Sequence, residues 1–443
     1  MQTKMEEAIV LYSTPEHLNS LTCLALFIAK RYPSISVVLL CTASPPPLPA
    51  APSLTFRHLP TPSLPPSATY NPLELFFEAP RLNNPNFRQA LAEIAGKSNI
   101  RAIVLDFFCS YAFEVGERLS IPTYFCNTTS AFGLCALLYW PTVHEITGGE
   151  FGDAVEIPGC PVIPTTNLPD VIRFPQSLSY KHMIDTAINI QKSAGVIINT
   201  VYALELRALE ALENNLCTPN LQTPPVYTMG PLIDVDYVEK NAAVECLRWL
   251  DSQPSKSVIL LCFGRRGEFS AEQLREMAVG LENSGYGFIW AVRNPDLEAV
   301  LPEGFLERTG GRGLVLKSWA PQMEVLRHRS VGGFVTHCGQ SSMLEAVWFG
   351  VPMICWPLYA EQKMNRIFMV EEMKVALAVE LGPEGFVTAA ELEERVRELM
   401  ESRRGKEIRR RVADFKVAAG AAVREGGSAV VALDKFMMAV TRV

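Results

Sequence analysis

Residues 7–12 read Glu-Ala-Ile-Val-Leu-Tyr, and residues 36–40 read Ser-Val-Val-Leu-Leu. Between them lie a polar turn, Ser13 to Asn19, and a helical pattern that runs to about Lys30. Short continuous apolar runs suit strands buried on both faces, and strand–helix–strand is the unit of a parallel sheet. The pattern repeats: Arg101–Leu105 reads as a strand, Tyr111–Leu119 as a helix, and Thr123–Cys126 and Gly195–Asn199 as strands. The text turns polar and acidic from Gly230-Pro231 to Asp236, and a second series begins. Its predicted strands are Ser257–Cys262, Gly287–Val292, Leu314–Lys317, Val331–Thr336 and Met353–Trp356, with a helix over Ala271–Asn283. The expectation is an α/β chain of two doubly wound, Rossmann-like parallel-sheet domains, 1–235 and 236–443, facing across a cleft. The last helix is expected to pack back on the first domain. Ligands of such folds gather outside the carboxyl ends of the strands. Residues 45–66 are proline-rich and read as surface loops.

Composition narrows the function classes. Over 443 residues, 40 basic and 47 acidic side chains leave a formal net charge of −7, without the basic surplus of a general nucleic-acid binder. Hydrophobic residues make up 48%, enough for sizeable cores. No apolar run reaches the roughly 18–20 residues of a membrane helix; the longest, Ala131 to Trp140, is about half that. The first residues lack the basic start and apolar core of a secretory signal. The 11 cysteines show no CxxC spacing, so reduced, buried thiols in a cytoplasmic protein are expected. The stretch Arg403–Glu425 is basic and helical, and a solvated helix face is its plain reading. Walker, GxGxxG and GxSxG motifs are absent, which disfavours a P-loop ATPase, a nicotinamide oxidoreductase and a serine hydrolase. The six histidines make no zinc spacing, so no metal is expected.

The most specific text is Trp319-Ala-Pro-Gln322, then Val331-Gly-Gly-Phe-Val-Thr-His337-Cys-Gly339, then Gly350-Val-Pro-Met-Ile-Cys-Trp-Pro-Leu-Tyr-Ala-Glu361-Gln362. It closely resembles the C-terminal signature of plant family 1 UDP-sugar glycosyltransferases. Cys262-Phe-Gly264, Phe288-Ile-Trp290 and the early loop with His17 extend the resemblance to nearly the whole chain.

The resemblance implies a GT-B fold and an inverting transfer from an α-linked UDP-sugar, used as co-substrate with no cofactor or metal, to give a β-glycoside. It makes His17 the general base and Asp106 the carboxylate that orients it and stabilises the imidazolium. In the donor half, Trp319 would stack on uracil, worth about 1–3 kcal/mol, or lie in the core. Gln322 would bond ribose or uracil. His337, Gly339, Ser341 and Ser342 would hold the diphosphate at a helix N-terminus, where free N–H groups and the dipole favour an anion. Glu345 would accept from the ribose, and Glu361 and Gln362 from the sugar. The phenolic acceptor would meet Phe107, Phe108, Phe125 or the Phe76-Phe77 pair, each of which also reads as core.

The chain departs from the family pattern in two places. Gln340 and Ser341 replace the usual Trp-Asn, and Arg265, followed by Arg266, replaces a serine. Paired arginines resemble a branch of flavonoid 7-O-glucuronosyltransferases from mint-order plants, though that branch carries arginine at the Gln340 position. UDP-glucuronic acid is therefore the expected donor, with UDP-glucose the alternative and an inactive nucleotide-sugar binding protein the reading from another class. A monomer is expected.

Overall fold

The computed structural model describes residues 5–44, 51–65, 70–219, 221–233, 243–294, 296–317 and 320–441. The chain forms two compact units, Met1–Ile233 with Ala421–Val443, and Asp234–Gly420. The second stretch of the first unit falls within 236–443 of the division drawn from sequence.

The first unit holds β1 (Glu6–Tyr12), β2 (Ser36–Cys41), β3 (Leu54–His58), β4 (Ser98–Asp106) and β5 (Thr123–Asn127). The pair β6 (Ala154–Val155) and β7 (Ile163–Pro164) is antiparallel and separate, and β8 (Gly195–Ile198) and β9 (Val226–Thr228) complete the main sheet. Its order is β3-β2-β1-β4-β5-β8-β9, and every pairing is parallel. The central strands are apolar on both faces because helices cover both; Ile9, Val10, Leu11, Ile103, Val104 and Leu105 are fully buried. β3 was not expected. It lies between prolines at the sheet edge, and its alternating, half-exposed Leu-Thr-Phe-Arg-His gives no continuous apolar run. The expected helix over Tyr111–Leu119 begins earlier, as a 3-10 turn Phe107–Ala112 leading into Phe113–Arg118.

The C-terminal helix Ser428–Thr441 lies on this sheet. Phe436 is fully buried against Tyr124 and Tyr227, at ring-centroid distances of 5.0 and 5.5 Å. Burying one such side chain contributes about 1.5–3 kcal/mol. A fork of charge-assisted bonds from Arg31 Nε and Nη2 to Asp434, 2.7 and 2.9 Å, and one from Tyr32 Oη at 2.6 Å, set the helix register.

The second unit contains β10 (Val258–Cys262), β11 (Gly287–Val292), β12 (Gly313–Lys317), β13 (Val331–Thr336), β14 (Met353–Cys355) and β15 (Ala376–Ala378), in the order β12-β11-β10-β13-β14-β15. All its pairings are parallel. Each sheet reverses its strand order once beside its first strand, at β1/β4 and at β10/β13. Such a reversal opens a crevice where the following loops diverge, and this is where a doubly wound sheet binds its ligand.

Among the described residues no helix is long and apolar enough to cross a membrane. All 11 cysteines are free, and only Cys23 is more than marginally exposed. The basic stretch after Arg403 is a helix, Arg403–Ala422, as expected.

Candidate active site

In the first unit, His17 follows β1 and Asp106 ends β4, so the strand reversal brings together side chains 89 residues apart in sequence. His17 Nδ1 lies 2.6 Å from Asp106 Oδ1. Asp106 is fully buried, whereas the His17 side chain keeps 23% of its surface. The other carboxylate oxygen accepts from the Thr14 backbone N–H at 2.9 Å and from the Thr14 hydroxyl. A carboxylate only accepts, so Nδ1 carries the proton and Nε2 presents a lone pair. Such a pair can take a proton at Nε2 and stabilise the cation that results.

Aromatic rings enclose this pair. Phe108 lies nearly parallel to the His17 imidazole, with centroids 5.0 Å apart and an interplanar angle of 7°. Phe76 stacks on Phe108 at 5.1 Å, and Phe77 meets Phe107 and Phe108 edge-on. Phe108 and Phe76 are half-buried, while Phe77 and Phe107 are buried. Phe125 must be removed from the expected acceptor contacts. It points from β5 into the core, is fully buried and stacks on Phe113 at 6.1 Å. Behind this wall Tyr111 Oη donates to Asp185 at 2.8 Å and lies 2.7 Å from His182 Nδ1.

In the second unit, Gly264 follows β10 and His337 follows β13, at the other strand reversal. His337 is wedged between two glycines: a Cβ on Gly264 or on Gly339 would lie 2.7 Å from its Nε2. Gly264 also has φ +71°, which a side chain tolerates poorly. Burial pushes the His337 pKa down to about 4, and its Nδ1 has no hydrogen-bond partner among the described residues. Near neutral pH the buried His337 ring is therefore neutral in the ligand-free chain.

The helix Gln340–Phe349 starts directly after Gly339 with no side-chain cap, leaving its first N–H groups for a ligand. Gln340 is buried, Ser341 is exposed and Ser342 is buried. Gln322 Nε2 donates to Ser342 Oγ at 3.0 Å and to Glu345 Oε2 at 2.7 Å, which joins three expected donor contacts in one cluster. Burial pushes the Glu345 carboxyl up to about 7; the bond from Gln322 opposes the shift, and the nearby Glu324 charge adds to it. Trp319 lies outside the described residues.

Glu361 is half-buried and accepts from Asn365 Nδ2 at 3.4 Å. The Gln362 amide oxygen is turned inward, accepting from the backbone N–H groups of Leu358 and Tyr359 at 2.9 and 3.0 Å. That oxygen shapes the loop, which the sequence reading missed. Asn365 was missed as well. Its Nδ2 donates to the Cys338 carbonyl at 2.9 Å, tying the Glu361 loop to a backbone held at φ +68° beside His337. Its place three residues beyond Gln362, just past the end of the signature, was the available signal. Arg265 and Arg266 are exposed, and the Arg266 guanidinium sits 5.5 Å above the Tyr359 ring, directed at the loop that carries Glu361. Among the described residues no group of three or more His, Cys, Asp or Glu side chains is placed to hold a metal ion.

Two doubly wound parallel sheets, each with charged or polar side chains at its strand reversal, are the architecture of the GT-B fold. Residues 234–414 match the family described as UDP-glucoronosyl and UDP-glucosyl transferase. The chain is 49% identical over 435 residues to baicalein 7-O-glucuronosyltransferase of Scutellaria baicalensis, covering 94% of this chain and 99% of that protein. It is 45% identical over 467 residues to anthocyanidin 5,3-O-glucosyltransferase of a Rosa hybrid cultivar, covering 97% and 98%. Its fold is similar to that of Phytolacca americana UGT2 complexed with UDP-2fluoro-glucose and pterostilbene, with a TM-score of 0.88, 32% identity and all of both chains covered. The protein belongs to this family of UDP-sugar glycosyltransferases.

Proposed function

We propose that this enzyme transfers a sugar, with inversion, from UDP to a phenolic hydroxyl of a flavonoid-like acceptor, and that its preferred donor is UDP-glucuronic acid. The observation that carries the reading is the His17–Asp106 pair, 2.6 Å apart, with the carboxylate buried and the imidazole partly exposed beside an aromatic wall. The acceptor hydroxyl gives its proton to His17 Nε2 as its oxygen attacks the anomeric carbon. The bond from that carbon to the phosphate oxygen breaks on the opposite face, and UDP leaves with the electron pair. The Asp106 charge stabilises the imidazolium through Nδ1–H. A planar phenol suits the half-buried faces of Phe108 and Phe76. The neutral His337, the N–H groups at Gln340–Ser342 and the Glu345–Gln322 cluster serve the diphosphate and ribose of the donor.

Glucuronic acid is favoured by the two exposed arginines after β10, one of which reaches toward the Glu361 loop, and by the 49% identical glucuronosyltransferase. A charge-assisted bond to the sugar carboxylate is worth about 1.5–3 kcal/mol, or roughly ten- to a hundredfold in affinity. Glucose is the second reading, supported by the 45% identical glucosyltransferase. The test is a screen of UDP-glucuronic acid, UDP-glucose and UDP-galactose against one flavone, read by mass spectrometry. A dominant product carrying glucuronic acid is expected. A dominant hexoside would transfer the assignment to glucose, and no product from any donor would leave only nucleotide-sugar binding.

A further inference from the structure

The Asp106 carboxylate divides its work between two partners. Oδ1 faces the His17 imidazole, while Oδ2 is taken by the N–H and the hydroxyl of Thr14. Thr14 is 4% exposed, and its loop is pinned in turn. Ser13 N–H donates to the Leu40 carbonyl at 2.9 Å, and the Ser13 hydroxyl donates to the Thr14 carbonyl at 2.8 Å. A packing role alone needs no hydroxyl at position 14. The side chain instead adds a second donor to an oxygen that the backbone already serves.

We propose that Thr14 is a positioning residue for the base: by saturating Oδ2 it fixes which oxygen faces His17 and lowers the negative charge that Asp106 presents to the ring. The proposal rests on the reading of His17 as general base. Donors to a carboxylate favour its charged form and reduce its basicity. With both Thr14 donors in place, Asp106 stabilises the imidazolium less than a bare carboxylate would, so losing the hydroxyl favours the protonated ring.

Among the described residues, the Asp106 charge acts on Tyr12 on β1, Cys41 on β2, Cys109 in the 3-10 turn and Cys126 on β5, and the Glu16 carboxylate of the His17 loop acts on Cys41 and Cys109. Burial raises the pKa of each of the tyrosine and cysteine groups, so they stay neutral across the working range. The face of the His17 ring is covered by Phe108, which does not titrate.

The experiment compares kcat and kcat/KM from pH 5 to 9 for the wild type, Thr14→Val and Thr14→Ser with one donor and one phenol. Thr14→Val keeps the volume and loses the hydroxyl. Its acidic limb should move up by about half to one pH unit, because a carboxylate with one donor fewer holds the imidazolium more tightly, and its plateau kcat should fall severalfold, because Oδ1 is no longer held toward the ring. Thr14→Ser, which keeps the hydroxyl, should restore both. A purely structural role would lower the melting temperature and the active fraction and leave the limb in place, and that result overturns the proposal. If Thr14→Val does not fold, Thr14→Ala is read in the same way, with UDP-glucose binding as the check on the donor unit. His17→Ala separates the two levels. A retained rate removes the base reading itself, whereas a dead His17→Ala beside an unmoved Thr14→Val limb removes only Thr14.

Discussion

Glu345 should make donor binding depend on pH in the physiological range. Its carboxyl is confined with the Gln322 amide, and burial raises it from an ordinary 4.5 to about 7. An ionised carboxylate accepts from two ribose hydroxyls, but a carboxylic acid must turn one oxygen into a donor. The ionised fraction is about a tenth at pH 6 and about nine-tenths at pH 8 for a group titrating near 7. UDP-glucose affinity should therefore rise by up to about tenfold between those values. UDP-glucose is the right probe because its diphosphate is fully ionised throughout, unlike the terminal phosphate of UDP. His337 titrates near 4 and adds nothing in this window. Isothermal calorimetry at pH 6, 7 and 8 on the wild type and on Glu345→Gln gives the answer, since the amide keeps the shape and cannot ionise.

Stability provides an independent check with a definite sign. The folded protein holds the Glu345 proton more tightly than the unfolded chain, so this group's contribution is most favourable below pH 4.5 and is lost as pH rises through 7. Glu345→Gln should match the wild type at low pH and exceed it at pH 8 by at most about 3 kcal/mol. Equal affinities at pH 6 and 8 in the wild type, or a slope that survives in Glu345→Gln, would refute the reasoning.

His17→Ala should lower kcat by roughly 10²–10⁴-fold, the usual weight of a general base, while calorimetry shows UDP affinity unchanged; a wild-type rate with an unactivated phenol contradicts the base assignment. Phe108→Ala, which frees one face of the imidazole, should raise the acceptor KM and lower kcat in steady-state assays, whereas Phe108→Tyr should behave nearly as wild type. In competition assays Gln340→Arg should raise the kcat/KM ratio of UDP-glucuronic acid to UDP-glucose, and Arg265→Ser should lower it; a ratio constant within about twofold, or about 0.4 kcal/mol, removes both positions from donor selection. Dialysis against a strong chelator should leave the rate unchanged, and a rate recovered only with added magnesium or manganese would contradict the hydrogen-bonded account of the diphosphate site.

Several parts of the fold were legible because their cause is local. Buried parallel strands such as Val258–Cys262 and Val331–Thr336 are continuous apolar runs, and a run of that kind survives in a single sequence. β3 was not legible, since an edge strand buries only part of one face and its residues alternate among flanking prolines. The early aromatics could not be sorted by type: Phe125 and Phe108 are the same residue on neighbouring segments, one sealed in the core and one stacked on His17.

By itself the sequence determined the βα rhythm, the positions of His17, Asp106 and the Trp319–Gln362 signature, and the absence of any nucleotide motif of another class. These depend on residue order alone. Only the tertiary structure decided that His17 meets Asp106 through Nδ1, that Thr14 occupies the remaining oxygen, that His337 is neutral and that Glu345 titrates near 7. The physical reason is that hydrogen-bond partners and desolvation come from neighbours distant in the chain. Asp106 reaches His17 only because β4 pairs with β1, and Glu345 meets Gln322 only because the helix after β13 packs on the segment that follows β12.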